Sequence, residues 1–366
     1  MKRGHAARLK KFWKEARARQ SSFSTKDLAQ LELIVNIGNC SGFGFEVLAK
    51  TKADGKLVLL KLFHKNTFEE KVVYGGLINQ MKILREKPHP FLPRLLFGGH
   101  TKTHVWQALE HVNGGELFKL LGQKKRLSHA YAQFLISEMI LTVEHIHSHG
   151  FIHRDLKPEN FFFRSNGHLV LHELSLAKFI GFEGGAANTF CGTPEYMPPE
   201  LIKGSSSFAS DWWAVGCMLY EFLIGIPPFY DKSVMKMYRN IEKNEVDGKR
   251  LAVIAGRDKH CADFISALLV KDPEKRLGYN GADEVKKHAL WAGTKWGELL
   301  ANTTVPEYIP PVKSEAGTEL FAEDMRNMEI PIIDLTPGDA TKANWRVFNA
   351  FDDEKKTSGN DEENPS

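Results

Sequence analysis

From Leu31 to Leu62 the chain alternates short apolar, β-branched runs with turn residues: Leu33-Ile34-Val35, Glu46-Val47-Leu48, the Ala53-Asp54-Gly55 turn, then Leu57-Val58-Leu59-Leu60-Lys61. This pattern predicts three antiparallel strands. Residues 67 to 86 change to a helical pattern that contains Asn79-Gln80-Met81-Lys82-Ile83-Leu84. A further strand runs from Thr103 to Val112 into the hinge-like Asn113-Gly114-Gly115-Glu116-Leu117. Ser128 can cap a long helix whose buried face holds Leu135, Met139, Val143 and Ile146. Short strands are expected at Phe161-Phe162-Phe163 and Leu169-Val170-Leu171, and the remainder reads as mostly helical. At the start, Leu9, Phe12, Trp13 and Ala16 recur at helical spacing among Lys2, Arg3, Arg8, Lys10, Lys11, Lys14, Arg17 and Arg19. That stretch reads as a basic amphipathic helix. It can dock its Phe12/Trp13 stripe on the main domain; a membrane surface, a calmodulin-like partner or mitochondrial targeting are the other readings.

Composition narrows the picture modestly. At 366 residues and 42% hydrophobic content, the chain suits one large domain or two lobes around a sizeable core. No apolar run reaches the length of a membrane-spanning helix, so a soluble protein is expected, in the cytoplasm with nuclear entry open. Cys40, Cys191, Cys217 and Cys261 lie far apart without a Cys-x-x-Cys pair, which argues against a disulfide framework or a zinc site. The net charge of +4 does not argue for nucleic acid, but the charge is polarised, basic at the start and acidic from Asp352 to Ser366. The acidic end is expected to be disordered.

The most specific stretch is His153-Arg154-Asp155-Leu156-Lys157-Pro158-Glu159-Asn160, which matches the protein-kinase catalytic loop His-Arg-Asp-Leu-x-x-x-Asn at every fixed position. Around it, in order, stand a glycine-rich turn Gly38-Asn39-Cys40-Ser41-Gly42-Phe43-Gly44, the strand lysine Lys61, Glu173-Leu174-Ser175, Thr189 to Tyr196, Pro198-Pro199-Glu200, and Asp211-Trp212-Trp213. With Cys191-Gly192-Thr193-Pro194-Glu195-Tyr196 and the tail motif Phe348-Asn349-Ala350-Phe351, residues 28 to 351 resemble the AGC group of serine/threonine kinases, and within it the catalytic subunit of cAMP-dependent protein kinase.

The resemblance implies an α+β, bilobal kinase fold, with a small five-stranded β lobe carrying one main helix and a large, mostly helical lobe. It divides the chain into an N-terminal helix and linker (1–30), a kinase domain (31–291), a C-terminal tail (292–351) and the acidic end (352–366). Asp155 would orient a substrate hydroxyl and accept its proton, Lys157 would neutralise the moving phosphoryl group, and Asn160 would hold Mg²⁺ together with Glu173. ATP, accompanied by Mg²⁺ or alternatively Mn²⁺, would be met by Gly38, Gly44, Lys61, Gln80, Glu110, Val112 and Glu116. Glu116, Glu159 and Glu221 would bind arginines of a basic substrate. Thr189 stands at the activating phosphothreonine, to pair with Arg154. A regulatory subunit of the cAMP-dependent kinase is the implied partner, although Asn188 replaces the tryptophan used in its docking.

Three departures touch the nucleotide side. Gln80 replaces the helix glutamate that pairs with the strand lysine, and its amide oxygen is expected to accept a weaker hydrogen bond instead. Glu173-Leu174-Ser175 replaces Asp-Phe-Gly, with a metal ligand one methylene longer. Glu46 stands where a valine usually covers adenine, an unfavourable position unless it turns to solvent. Phe321-Ala322-Glu323-Asp324-Met325 also lacks one tail aromatic. Two readings therefore stand: a slowed serine/threonine kinase acting on basic peptides, and a pseudokinase that binds partners through the retained cleft.

Overall fold

The computed structural model describes residues 28–317, apart from 41–43, 67–70, 87 and 183–184. The expected basic helix, the tip of the glycine-rich turn, the tail motif around Phe348 and the acidic end lie outside the described residues. Among the described residues no helix is long and apolar enough to cross a membrane.

The first part is an antiparallel sheet of β1 (Leu31–Cys40), β2 (Gly44–Thr51) and β3 (Leu57–His64), then α1 (Lys71–Glu86), β4 (Leu95–His100) and β5 (His104–Glu110). The sheet order is β1-β2-β3-β5-β4. Strand β3 is buried along nearly its whole length, because both of its faces are covered. Its side chains alternate. Val58, Leu60 and Leu62 pack with Val47, Phe97 and Trp106 on one face. Leu59 and Phe63 join Leu77, Met81 and Leu84 of α1 on the other. The period of two therefore sends Lys61, between Leu59 and Phe63, toward α1 and the second lobe.

The second lobe contains α2 (Leu117–Lys124), α3 (His129–Ser148), β6 (Phe151–Ile152), β7 (Phe161–Phe163), β8 (Leu169–Leu171), β9 (Lys178–Phe179), α4 (Pro199–Ile202), α5 (Phe208–Ile224), α6 (Val234–Lys243), α7 (Gly248–Ala255), α8 (Lys259–Leu268), α9 (Ala282–Lys286) and α10 (Trp296–Leu300). Ser128 caps α3 as expected, its hydroxyl accepting from the Tyr131 N–H at 3.1 Å. Helix α5 is apolar on nearly every side and forms the centre of this lobe, with Trp212, Trp213, Tyr220 and Phe222 fully buried. Arg276 locks the segment leading into α5: its guanidinium donates to both Glu200 oxygens at 2.7 and 2.9 Å. Past α10 the chain returns to the sheet. Tyr308 meets Phe163 edge-on, and the carbonyls of Glu315 and Ala316 bond Asn113 and His111 of the hinge.

Helix α1 approaches the second lobe through one glycine. A Cβ on Gly76 would lie 1.5 Å from the Ser175 carbonyl, whereas one on Gly75 would meet nothing within 4 Å. Glycine in a helix interior costs about 0.5–1 kcal/mol relative to alanine. Gly75→Ala should therefore raise the melting temperature, while Gly76→Ala should lower it by forcing α1 away from residues 173–175. Thermal denaturation of both variants checks the pair.

Candidate active site

The catalytic-loop residues are held from below by one buried carboxylate. Asp211, on α5, accepts the N–H groups of His153 and Arg154 at 2.9 Å each and bonds the His147 ring at 2.7 Å. Burial pushes the Asp211 carboxyl up, but its hydrogen bonds to His147 and to the His153 N–H and the proximity of both imidazoles outweigh this and leave it below the usual range. The anchoring lets Arg154 hold φ at 71°, a left-handed conformation rare for a residue with a side chain. Gly192 closes over this turn, where a Cβ would come 2.6 Å from the Arg154 carbonyl. The His153 ring donates to the Glu173 carbonyl at 2.6 Å and accepts from the Asp155 N–H at 3.2 Å, so one imidazole ties the loop to the segment after β8.

Above this anchor the reactive groups meet. The Thr193 hydroxyl donates to Asp155 Oδ1 at 2.7 Å and accepts from Lys157 Nζ at 2.7 Å. Lys157 also lies 3.3 Å from Asp155 Oδ2, and the Asn160 amide donates to the Asp155 carbonyl at 2.7 Å. Asp155, Lys157 and Asn160 thus converge with Thr193, a residue whose bridging role the motif alone did not reveal. The arrangement supplies a fixed carboxylate acceptor, a cation beside it and an amide oxygen facing away from the carbonyl contact. It can accept a proton from a bound hydroxyl while holding positive charge next to an incoming anion.

On the opposite side of the cleft the structure departs from expectation. Gln80 does not take up Lys61: among the described residues its amide donates to Gln107 at 2.6 Å and accepts from the Leu174 N–H at 3.2 Å. Glu46 does not turn to solvent either. Its Oε1 lies 3.1 Å from Lys61 Nζ, and its side chain is only 14% exposed. Glu173 approaches Lys61 from the second lobe at 3.0 Å, and the His172 carbonyl lies at 3.3 Å. The reason is register. Gly38, Glu46, Lys61 and Gln107 are successive cross-strand partners on β1, β2, β3 and β5, so the carboxylate and the ammonium are neighbours on one face. At Gly38 a Cβ would stand 3.3 Å from Glu46 Oε2, a crowded contact. Gly44 is more strictly constrained, since a Cβ there would lie 2.3 Å from the Leu62 carbonyl.

Burial raises the Glu173 carboxyl, but the charge and hydrogen bond of Lys61 and the Ser175 N–H more than offset this and lower it, against the charge of Glu46. His172, buried beside Lys61, is pushed well below its ordinary value and is neutral. Leu174 is fully buried in the apolar core. No group of three or more His, Cys, Asp or Glu gathers around a metal position among the described residues. Asn160 and Glu173 do fit Mg²⁺ of the kind held by one or two protein groups plus phosphates. The Asn160 amide nitrogen bonds Asp155, leaving its oxygen, and the Glu173 oxygens retain lone pairs beyond those taken by Lys61 and Ser175.

Glu110 sits at the end of β5, paired with Arg164 and Arg94. The next residues form the hinge, where Val112 is buried and Gly114 and Gly115 bond Phe163. Glu159 and Glu221 lie near one another with Glu195, and Glu221 accepts from the Tyr196 hydroxyl at 2.7 Å. Burial raises both carboxyls, and for Glu221 the nearby Glu159 and Glu195 add to it, bringing it to about 7. Glu116 stands apart from them, beside Lys119 and within electrostatic reach of Glu46. Thr189 is half-buried; on the catalytic loop the Arg154 Nη1 is buried without an acceptor among the described residues.

Residues 32–291 match the family of the protein kinase domain. Over 294 residues the chain is 34% identical to the serine/threonine-protein kinase YPK1 of Saccharomyces cerevisiae, covering 80% of this chain and 42% of that protein. It is 33% identical to gad8 of Schizosaccharomyces pombe over 314 residues, 86% of this chain and 54% of the relative. It is also 35% identical to human Sgk2 over 292 residues, 79% and 77% of the two chains. The chain spans about half the length of the two fungal kinases it matches. These likenesses support the AGC resemblance but not the narrower one to the cAMP-dependent catalytic subunit, nor the regulatory subunit implied by it.

Proposed function

Since this chain belongs to the protein kinase family, in its AGC group of serine/threonine kinases, we propose that it transfers the γ-phosphate of ATP to serine or threonine in basic protein segments. The observation that carries this reading is the bonded set of Asp155, Thr193, Lys157 and Asn160. Asp155 accepts the hydroxyl proton as the oxygen attacks, and Thr193 keeps Asp155 and Lys157 aligned so that the cation faces the transferring group. Lys61, on β3, would meet the phosphates, and Glu110 and Val112, at the hinge, would meet the adenine. Asn160 and Glu173 would hold Mg²⁺, whose charge offsets that of the phosphates when bound. Phosphorylation of Thr189 would give Arg154 Nη1 the acceptor it lacks among the described residues, while Nε already donates to the Leu176 carbonyl.

Glu159 and Glu221 favour arginine in the substrate, because a guanidinium satisfies buried carboxylates with paired, charge-assisted bonds. The unpartnered Glu159 Oε2 supports this, being buried with no bond among the described residues.

Incubation with ATP, Mg²⁺ or Mn²⁺, and an Arg-Arg-x-Ser peptide should yield phosphopeptide, and Asp155→Ala should cut the rate by on the order of 1,000-fold or more. A wild type that binds the peptide yet leaves it unmodified with either metal contradicts the proposal and fits a binding protein instead.

Acidity should matter through Glu221. With its carboxyl near 7 in the free protein, it carries a proton below neutrality and gains the charge that attracts arginine as pH rises. The kcat/KM for the arginine peptide should climb through about pH 7. In Glu221→Gln the climb should be lost; the same midpoint in that variant would remove Glu221 from the argument.

A further inference from the structure

Two observations on the nucleotide side belong together: a carboxylate is missing from α1 at Gln80, and an additional one stands on β2 at Glu46. In the family pattern the strand lysine lies between a helix glutamate and the carboxylate after β8. Here it also lies between two carboxylates, Glu46 at 3.1 Å and Glu173 at 3.0 Å. The number of negative charges beside the lysine is therefore unchanged, and only the element that supplies one of them differs.

We propose that Glu46 is the positioning residue for Lys61, taking over from the β-sheet the task that a helix glutamate performs elsewhere in the family. The inference rests on the kinase reading above. Several features point the same way. Lys61 is fully buried, so its ammonium requires charged or hydrogen-bonding partners in place of water. Glu46 faces it directly across the β2–β3 ladder, and backbone pairing fixes their separation. Gly38 lies opposite Glu46 on β1, where a side chain would crowd the Glu46 carboxylate. On the far side of Lys61, the cross-strand partner is Gln107, which receives the Gln80 amide and in turn donates to the Leu77 carbonyl at 3.5 Å. The helix is thus joined to the sheet by neutral amides, and the ionic contact is made within the sheet.

This has a consequence for control. A lysine held by a helix glutamate is aligned only when that helix is in place, which couples activity to helix position. A lysine held by Glu46 moves with its own sheet, so this ionic contact does not depend on where α1 sits, whereas the contact with Glu173 stays tied to the segment that α1 packs against.

The two elements can be exchanged in a mutational cycle. A carboxylate at position 80 would find the Leu174 N–H already donating to that side chain and the Gln107 amide able to turn its NH₂ toward it. Peptide phosphorylation and ATP binding should be measured for wild type, Glu46→Gln, Gln80→Glu and the double variant, with melting temperatures as a folding check. Loss of alignment at a reacting centre costs on the order of 100-fold. Glu46→Gln should lower kcat/KM for ATP by roughly that factor, and adding Gln80→Glu should recover the activity to within about tenfold. A faster Glu46→Gln enzyme with tighter ATP binding would overturn the proposal, since Glu46 would then be competing with the phosphates for Lys61. So would a double variant no better than the single one.

A third arm needs no turnover. Acylation of the Lys61 amine by an N-hydroxysuccinimide ester, followed by peptide mass spectrometry, should be faster in Glu46→Gln and slowed again in the double variant. An equal rate in all three proteins overturns the proposal. A wild type without kinase activity defeats the parent reading while leaving this arm to decide the role of Glu46.

Discussion

The arrangement of the site depends on one buried carboxylate. Asp211 accepts two consecutive backbone N–H groups from the catalytic loop and one ring nitrogen, and so holds Arg154 in a conformation it would otherwise avoid. Each such charged hydrogen bond contributes about 1.5–3 kcal/mol, enough together to offset the 1–3 kcal/mol that a strained backbone costs. Because α5, which carries Asp211, is the most deeply buried helix of its lobe, the strained turn rests on the stiffest available support. Asp155, Lys157 and Asn160 follow within a few residues and inherit that position.

From this fixed point the site is assembled by two different means. The lower half, with Thr193 bridging Asp155 and Lys157, is set by a loop clamped on a helix. The upper half is set by strand register: a single row across the sheet brings Gly38, Glu46, Lys61 and Gln107 side by side. Glu173 and His153 join the halves, since Glu173 bonds Lys61 through its carboxylate and His153 through its carbonyl. The protein therefore presents the complete Asp155, Lys157 and Asn160 set opposite a Lys61 side whose charges are redistributed between Glu46 and Glu173.

Much of this was legible in the sequence. The strand carrying Lys61 and the cap at Ser128 follow from local rules, and the bilobal fold appears as the family resemblance carried by the unbroken catalytic loop implies. What local rules missed was contact across strands and lobes. Glu46 reads as a misplaced charge when only its own loop is considered; its partner is revealed by the β2–β3 register. Gln80 was expected to keep a weak bond to Lys61, but Gln107, a residue without a motif, provides an amide of matching polarity and takes it instead. Thr193 was visible within its motif, but its link to Asp155 depends on how the activation segment folds over the loop.

The most direct measurement is an experimental structure of the protein with Mg²⁺ and a non-hydrolysable ATP analogue. The account predicts the analogue's phosphates between Lys61 and the Asp155–Lys157 pair, with Mg²⁺ on Asn160 and Glu173 and with Glu46 still within hydrogen-bonding distance of Lys61. A bound analogue with Glu46 turned away from Lys61 would contradict the role given to that carboxylate, and a cleft that excludes the analogue at saturating concentration would contradict the kinase reading itself.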